Sequence, residues 1–208
     1  MTARLRMTRA ERAEQTRADL VTAARRVFLG RGFHGASLDE ISAEAGYTTG
    51  AVYSRFGGKD ELFLAVLDDH LERRGRLYAE AALAAEDFES AHREIMRAAI
   101  AAGREEPNWT PLLVEFWTHA ARREDLRAAV AERNERNLAA SAELQEALAD
   151  RFGMRLLAPP RELQRGVSAM ARGLSLERQI APDAELERLW EDCVLALLRA
   201  FTEPRSTT

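Results

Sequence analysis

The chain has 208 residues, 46% of them hydrophobic, and a formal net charge of −4 at pH 7. That length supports one large domain or two small ones around a real core, and the apolar content excludes a disordered chain. The lone Cys193 excludes an internal disulfide and argues against a zinc cluster, while no apolar run approaches the ~20 residues that a membrane helix needs.

The charge is unevenly spread. Residues 1–59 hold 10 Lys+Arg against 6 Asp+Glu, a balance of +4, and the remainder holds 20 against 28, a balance of −8. A basic head on an acidic body directs any polyanion to the head. The opening residues, "MTARLRMTRAERAEQTRADL", lack the apolar core of a secretory signal, so a reducing cytoplasm is the expected compartment. The "NWT" at Asn108 matches a glycosylation acceptor but has no meaning without secretion.

Abundant alanine, sparse β-branched residues and helical apolar periodicity predict an all-α fold. From Thr8 to Leu29, Ala13, Leu20, Val21, Ala24, Val27 and Phe28 fall on one helical stripe. Gly30 and Gly32 end that helix, and Phe33 packs back over its last turn. Ser37 opens a second helix, with Glu40 placed to complete a capping box and Leu38, Ile41 and Ala45 on the buried edge. Gly46 is a left-handed stop. Thr48 caps a third helix that reaches Phe56, where "FGG" breaks the chain. A long fourth helix carries Leu62, Phe63, Val66, Leu67 and Leu71 on one face.

Beyond it, proline and glycine punctuate five further helices, near 88–102, 112–121, 125–152, 160–180 and 183–201. Pro182 and Asp183 open the last. The expectation is nine helices, no strand, and disorder confined to the first few residues and the terminal "EPRSTT".

The second and third helices are short and joined through a glycine turn, the layout of a helix-turn-helix whose second helix enters the major groove of DNA. With Val52 and Phe56 packed inward, Thr49, Gly50, Tyr53 and Ser54 turn toward solvent. Thr48, Thr49 and Gly50 start the third helix, where free backbone N–H groups and the helix dipole favour a phosphate. Lys59, in the first turn of the fourth helix, opposes the dipole, and a phosphate there would reverse the penalty. Arg55 can reach backbone or base. Many such helix pairs are only packing motifs, but the basic head, the outward Tyr53 and the position of Lys59 coincide in one stretch.

From Phe28 to Asp69, "FLGRGFHGASLDEISAEAGYTTGAVYSRFGGKDELFLAVLD" resembles the DNA-binding region of the TetR family of transcriptional regulators, closely over about a fifth of the chain. The resemblance implies a DNA-binding domain over residues 1–60 and a ligand-binding and dimerisation domain over 61–208. It implies phosphate contacts from Ser37, Thr48, Tyr53 and Lys59, with Thr49, Gly50, Ser54 and Arg55 near the groove. Many members carry histidine where this chain has Arg55.

Other motifs carry less. "GRGFHG", Gly30 to Gly35, spells the dinucleotide fingerprint, but a helix precedes it where that fingerprint needs a strand. His34, His70, His92 and His119 have no histidine partner at ligand spacing, and Glu115 with His119 is at most half of a metal site. No catalytic residue, metal or cofactor is expected.

The resemblance also implies an inducer pocket and a dimer interface in the body. Trp109, Leu113, Phe116 and Trp117, with Glu115 and His119 between them, combine bulk with a few polar groups, as a small-molecule cavity requires. The plainer reading is core at helical spacing. Asn134 and Asn137 lie among apolar positions, and Met96 and Met170 are flexible fillers suited to line the same cavity. Glu115, the one acid in its apolar run, predicts an apolar ligand with cationic or aromatic character lying over an indole.

In the last two helices, Gly166 and Gly173 leave flat places beside Val167 and Leu174, and Trp190, Val194, Leu197 and Leu198 belong to a wide apolar stripe. A two-fold four-helix interface follows, or else internal core. The expected function is a ligand-responsive DNA-binding regulator: a homodimeric repressor released from a palindromic double-stranded operator by a small apolar molecule, with no membrane partner. The alternative is an all-helical small-molecule-binding protein or enzyme whose helix-turn-helix is purely structural.

Overall fold

Nine α-helices and one small sheet form residues 8–181 and 184–205, the part of the chain that this computed structural model describes. The helices are α1 (Arg9–Gly35), α2 (Leu38–Ala45), α3 (Thr49–Phe56), α4 (Lys59–Leu83), α5 (Phe88–Glu105), α6 (Trp109–Ala120), α7 (Glu124–Arg151), α8 (Pro160–Ile180) and α9 (Ala184–Phe201). The strands are β1 (Met154–Leu156) and β2 (Thr202–Pro204). The chain divides into two compact units, Met1–His70 and Leu71–Thr208. The expected disorder of the first residues, and Pro182 and Asp183 as helix openers, lie outside the described residues.

In the first unit α1 begins with a complete capping box. The Glu11 N–H donates to Thr8 Oγ1 at 3.1 Å, and the Thr8 N–H donates to the Glu11 carboxylate at 2.6 Å. Leu20, Ala24 and Phe28 are fully buried along one stripe. Gly32, at φ 74° and ψ 172°, interrupts the helix, a backbone that suits glycine. Helix resumes to Gly35, one turn past the predicted end. The break turns Phe33 onto Phe28 and Phe63, with ring centroids 5.8 and 5.4 Å away, and Phe28 meets Phe63 at 5.2 Å.

The capping box predicted for α2 closes on one side only. Ser37 Oγ accepts from the Glu40 N–H at 3.1 Å, but the Glu40 carboxylate accepts from Arg31 at 3.2 Å instead of turning back to the cap. Gly46 (φ 75°, ψ 26°) ends α2 as a left-handed cap. Its N–H donates to Ala43 O at 3.1 Å, and the Tyr47 N–H donates to Ser42 O at 2.8 Å. Ile41 and Val52 are both fully buried, fixing α2 and α3 by one apolar residue from each.

In the second unit α5 starts with a reciprocal cap between Asp87 and Ser90. The open carbonyls at the end of α4 are satisfied by Arg151 of α7, which donates to Ala82 O, Leu83 O and Ala85 O at 3.3, 3.2 and 3.0 Å. A buried polar link joins three helices. His92 of α5 meets Phe88 O through Nδ1 at 2.6 Å and the Gln145 amide of α7 through Nε2 at 2.7 Å, and Gln164 of α8 donates to that amide at 3.4 Å. Glu89 of α5 is held by Arg199 of α9 and by Arg93, which keep its carboxyl down at about 2.

One expectation fails: the body contains strand. β1 and β2 pair antiparallel, Met154 with Pro204, Arg155 with Glu203 and Leu156 with Thr202. Three residues per strand are too few to show a period, and Pro204 reads as a breaker in the sequence. The pairing, with an ion pair between Arg155 and Glu203, draws in the residues expected to be a loose tail as far as Arg205, whose N–H donates to Gly153 O at 2.8 Å.

Candidate functional site

Within the first unit, α3 presents a mixed face. Tyr53 is 57% exposed, and Ser37, Thr48, Gly50, Ser54 and Arg55 are exposed with it. A Cβ on Gly50 would meet only Thr48 Oγ1, at 3.7 Å, so glycine here keeps the helix start slim. Ser54 donates to Ala51 O at 3.0 Å. Thr48 stands at the N-cap, yet its side chain makes none of the predicted capping bond, although its carbonyl accepts from Ala51 at 2.9 Å. Its hydroxyl is thereby left on the exposed edge of the helix start.

Two of the predicted contact residues point elsewhere. Thr49 is half-buried, not turned to solvent. Its hydroxyl donates to Asp39 of α2 at 2.6 Å and lies 3.1 Å from Ser42 Oγ, so it ties α3 to α2. Lys59 is also half-buried. Its ammonium donates to Ala36 O at 2.7 Å and to His34 O at 3.4 Å, and stands 4.8 Å over the Phe33 ring. The lysine that seemed misplaced against its own helix dipole therefore caps the end of α1, and no phosphate is needed to account for it.

Residues that carried no sequence signal complete the frame. Tyr47 donates its hydroxyl to Asp19 of α1 at 2.8 Å, across 28 residues, and Asp39 accepts from Thr49 across 10. Neither separation has a period that could announce it. Arg26 and Arg31 of α1 pair with Glu44 and Glu40 of α2 at 3.3 and 3.2 Å. The positive balance of the head is thus partly spent inside it, whereas Arg55 has no carboxylate partner among the described residues.

Lys59→Met keeps the stem over Phe33 and removes both carbonyl bonds. The head should lose about 1–3 kcal/mol, read as an earlier thermal transition without DNA present. An unchanged melting curve, with DNA affinity alone reduced, would return Lys59 to the phosphate role.

The second unit sorts the predicted ligand residues into two groups. Phe116 is fully buried and Trp109 and Met96 nearly so. Met96 packs with Val194 and Leu195 of α9, and Val167, Met170, Trp190 and Leu198 close over that cluster. Val194, expected at an interface, is thereby core of its own chain. Leu113, Glu115, Trp117, His119 and Asn134 are half-buried, and Asn137 with them. The Arg172 guanidinium of α8 stands 5.0 Å over the Trp117 ring, so the chain's own cation takes the place predicted for a cationic ligand. α8 has no fully buried residue, and Gly166 and Gly173 are exposed with open space where a side chain would stand.

Comparison with known proteins places these features. Residues 20–66 match the family described as bacterial regulatory proteins, tetR family. The HTH-type transcriptional activator FasR of Mycolicibacterium smegmatis is 42% identical over 59 residues, 28% of this chain and 27% of that protein. The HTH-type transcriptional repressor NicS of Pseudomonas putida is 34% identical over 88 residues, 42% of each. These matches therefore span less than half the length of either relative. A TetR-family transcriptional regulator from Pectobacterium atrosepticum shares the fold with a TM-score of 0.67 at 25% identity, over 96% of this chain and 100% of that one.

Proposed function

We propose that this chain, whose residues 20–66 match the tetR family of bacterial regulatory proteins and whose fold is shared with a TetR-family transcriptional regulator, works as a homodimeric repressor. It holds a palindromic DNA operator and releases it when a small, largely apolar molecule enters the body. The exposed face of α3 carries this reading. A short helix that starts with small polar residues and turns Tyr53 and Arg55 outward suits the major groove. Ser37, Thr48 and Tyr53 meet phosphates, and Gly50, Ser54 and Arg55 lie against base edges. Thr49 ties the reading helix to α2, and Lys59 caps the end of α1.

Dimerisation places two such helices on two half-sites, and the exposed face of α8 with its open glycines supports that role. α4 begins in the head and ends in the body, so it is the covalent path by which a ligand-induced change reaches the DNA. The ligand acts by binding the released state better than the DNA-bound state. No helix among the described residues is long and apolar enough to cross a membrane, and the proposed place of action is the cytoplasm, where the chromosome lies.

The test is fluorescence anisotropy of the protein on the DNA flanking its own gene, followed against salt. Affinity should fall linearly in log–log form with a slope of several units, and Arg55→Ala should cost about 1–3 kcal/mol per half-site and relax the base preference at one position. A protein with no salt-dependent DNA affinity would contradict the reading.

A further inference from the structure

Arg172 is an unexplained charge of the body. It is half-buried and, among the described residues, contacts no carboxylate; its recorded partner is the Trp117 ring. Burial pushes its pKa down, the mark of a guanidinium stripped of water without compensation. The positions one turn away on α8 are Ser168, Ala169, Ser175 and Leu176, and those one turn from Trp117 on α6 are Leu113, Val114, Ala120 and Ala121, so no acid stands beside the pair on either helix. Glu115 lies two residues before Trp117, round the far side of α6, and has its own interactions.

The indole adds a second unmet donor. Trp117 Nε1 is buried and has no acceptor among the described residues, and an indole N–H can only donate. A guanidinium that cannot be deprotonated and an indole N–H, on stacked groups, together ask for one acceptor that carries negative charge.

We propose that Arg172 and Trp117 form the anion-reading end of the effector site, and that the effector is an organic monocarboxylate with an apolar remainder. This rests on the ligand-responsive reading above. A carboxylate fits because its two oxygens match the guanidinium fork and keep a lone pair for the indole N–H. A single guanidinium balances a monoanion. The half-buried Leu113 and Val114, one turn before Trp117, supply apolar surface for the rest of the molecule. Arg172 then repels a cation from this end of the site, and Glu115, on the far side of α6, does not recruit one to it.

The experiment titrates the full-length protein by calorimetry with benzoate and octanoate, and with benzamide, octanamide and benzylamine as neutral and cationic counterparts. At least one carboxylate should bind about tenfold or more tightly than its amide, and benzylamine should not bind. Arg172→Gln should erase the preference for carboxylate over amide with its melting temperature kept, and Arg172→Lys should restore part of it. Should the glutamine variant fail to fold, the wild-type comparison of acid with amide still decides. Equal binding of acid and amide, preferred binding of benzylamine, or no binding by any probe would overturn the proposal. So would an Arg172→Gln protein that loses only its dimer, which would assign the guanidinium to a carboxylate of a second copy. DNA affinity is measured separately without probe, so a protein that binds benzoate but not DNA would refute the regulator and not the anion site.

Discussion

Exchanging Ser54 and Arg55 together for glutamate should abolish operator binding, weakening it about 100-fold or more, with the head still folded. Both side chains are exposed on α3, and among the described residues neither makes a contact that holds α3 to another helix. The fold has little reason to notice the change. The exposed face does, since it loses one positive charge and gains two negative ones where phosphates must approach. Anisotropy at low salt measures the loss, and circular dichroism checks the fold. A double variant that binds as well as wild type would remove α3 from the interface and with it the groove-reading role.

The second large effect concerns the subunit contact. Gly166→Trp with Gly173→Trp should leave each subunit folded and even slightly more stable, because glycine inside a helix costs about 1 kcal/mol relative to alanine. A Cβ at either position meets nothing within 4 Å among the described residues. Two indoles on each α8 would nonetheless prevent a second helix from approaching closely. Dimer affinity should fall about 100-fold or more, since the clash is repeated by symmetry. Sedimentation equilibrium at micromolar concentration reads the mass directly. Operator binding should be lost in parallel. A double variant that remains a dimer would place the contact elsewhere.

How much of this the sequence disclosed depended on how local the cause was. Gly46 and the Ser37 cap were legible because a helix end is written in two or three adjacent residues, and Leu62, Phe63, Val66 and Leu67 of α4 because their period is short, whereas on α2 only Ile41 of the expected edge is buried and Leu38 and Ala45 are half-buried. The carbonyl bonds of Lys59 were not legible, for the opposite reason. Its first-turn position is visible locally, but the carbonyls it satisfies lie 23 and 25 residues upstream and are brought near only by the fold. Thr49 failed in the same way, since a helical wheel turns it outward while the Asp39 carboxylate, on another helix, draws its hydroxyl in. β1 and β2 were too short to carry a pattern. Arg172 had no sequence signal at all. One arginine among many becomes notable only when α6 places an indole under it and no acid arrives.

The central claim, that this is a sequence-selective DNA-binding dimer, is tested most directly by passing full-length protein over a random pool of duplex DNA and sequencing what it retains. The predicted result is an inverted repeat, its half-sites separated by about one helical turn (~10 base pairs) or a multiple of it, with retention falling steeply as salt rises. Retained DNA that shows no shared sequence, or no retention above background at low salt, would contradict the account.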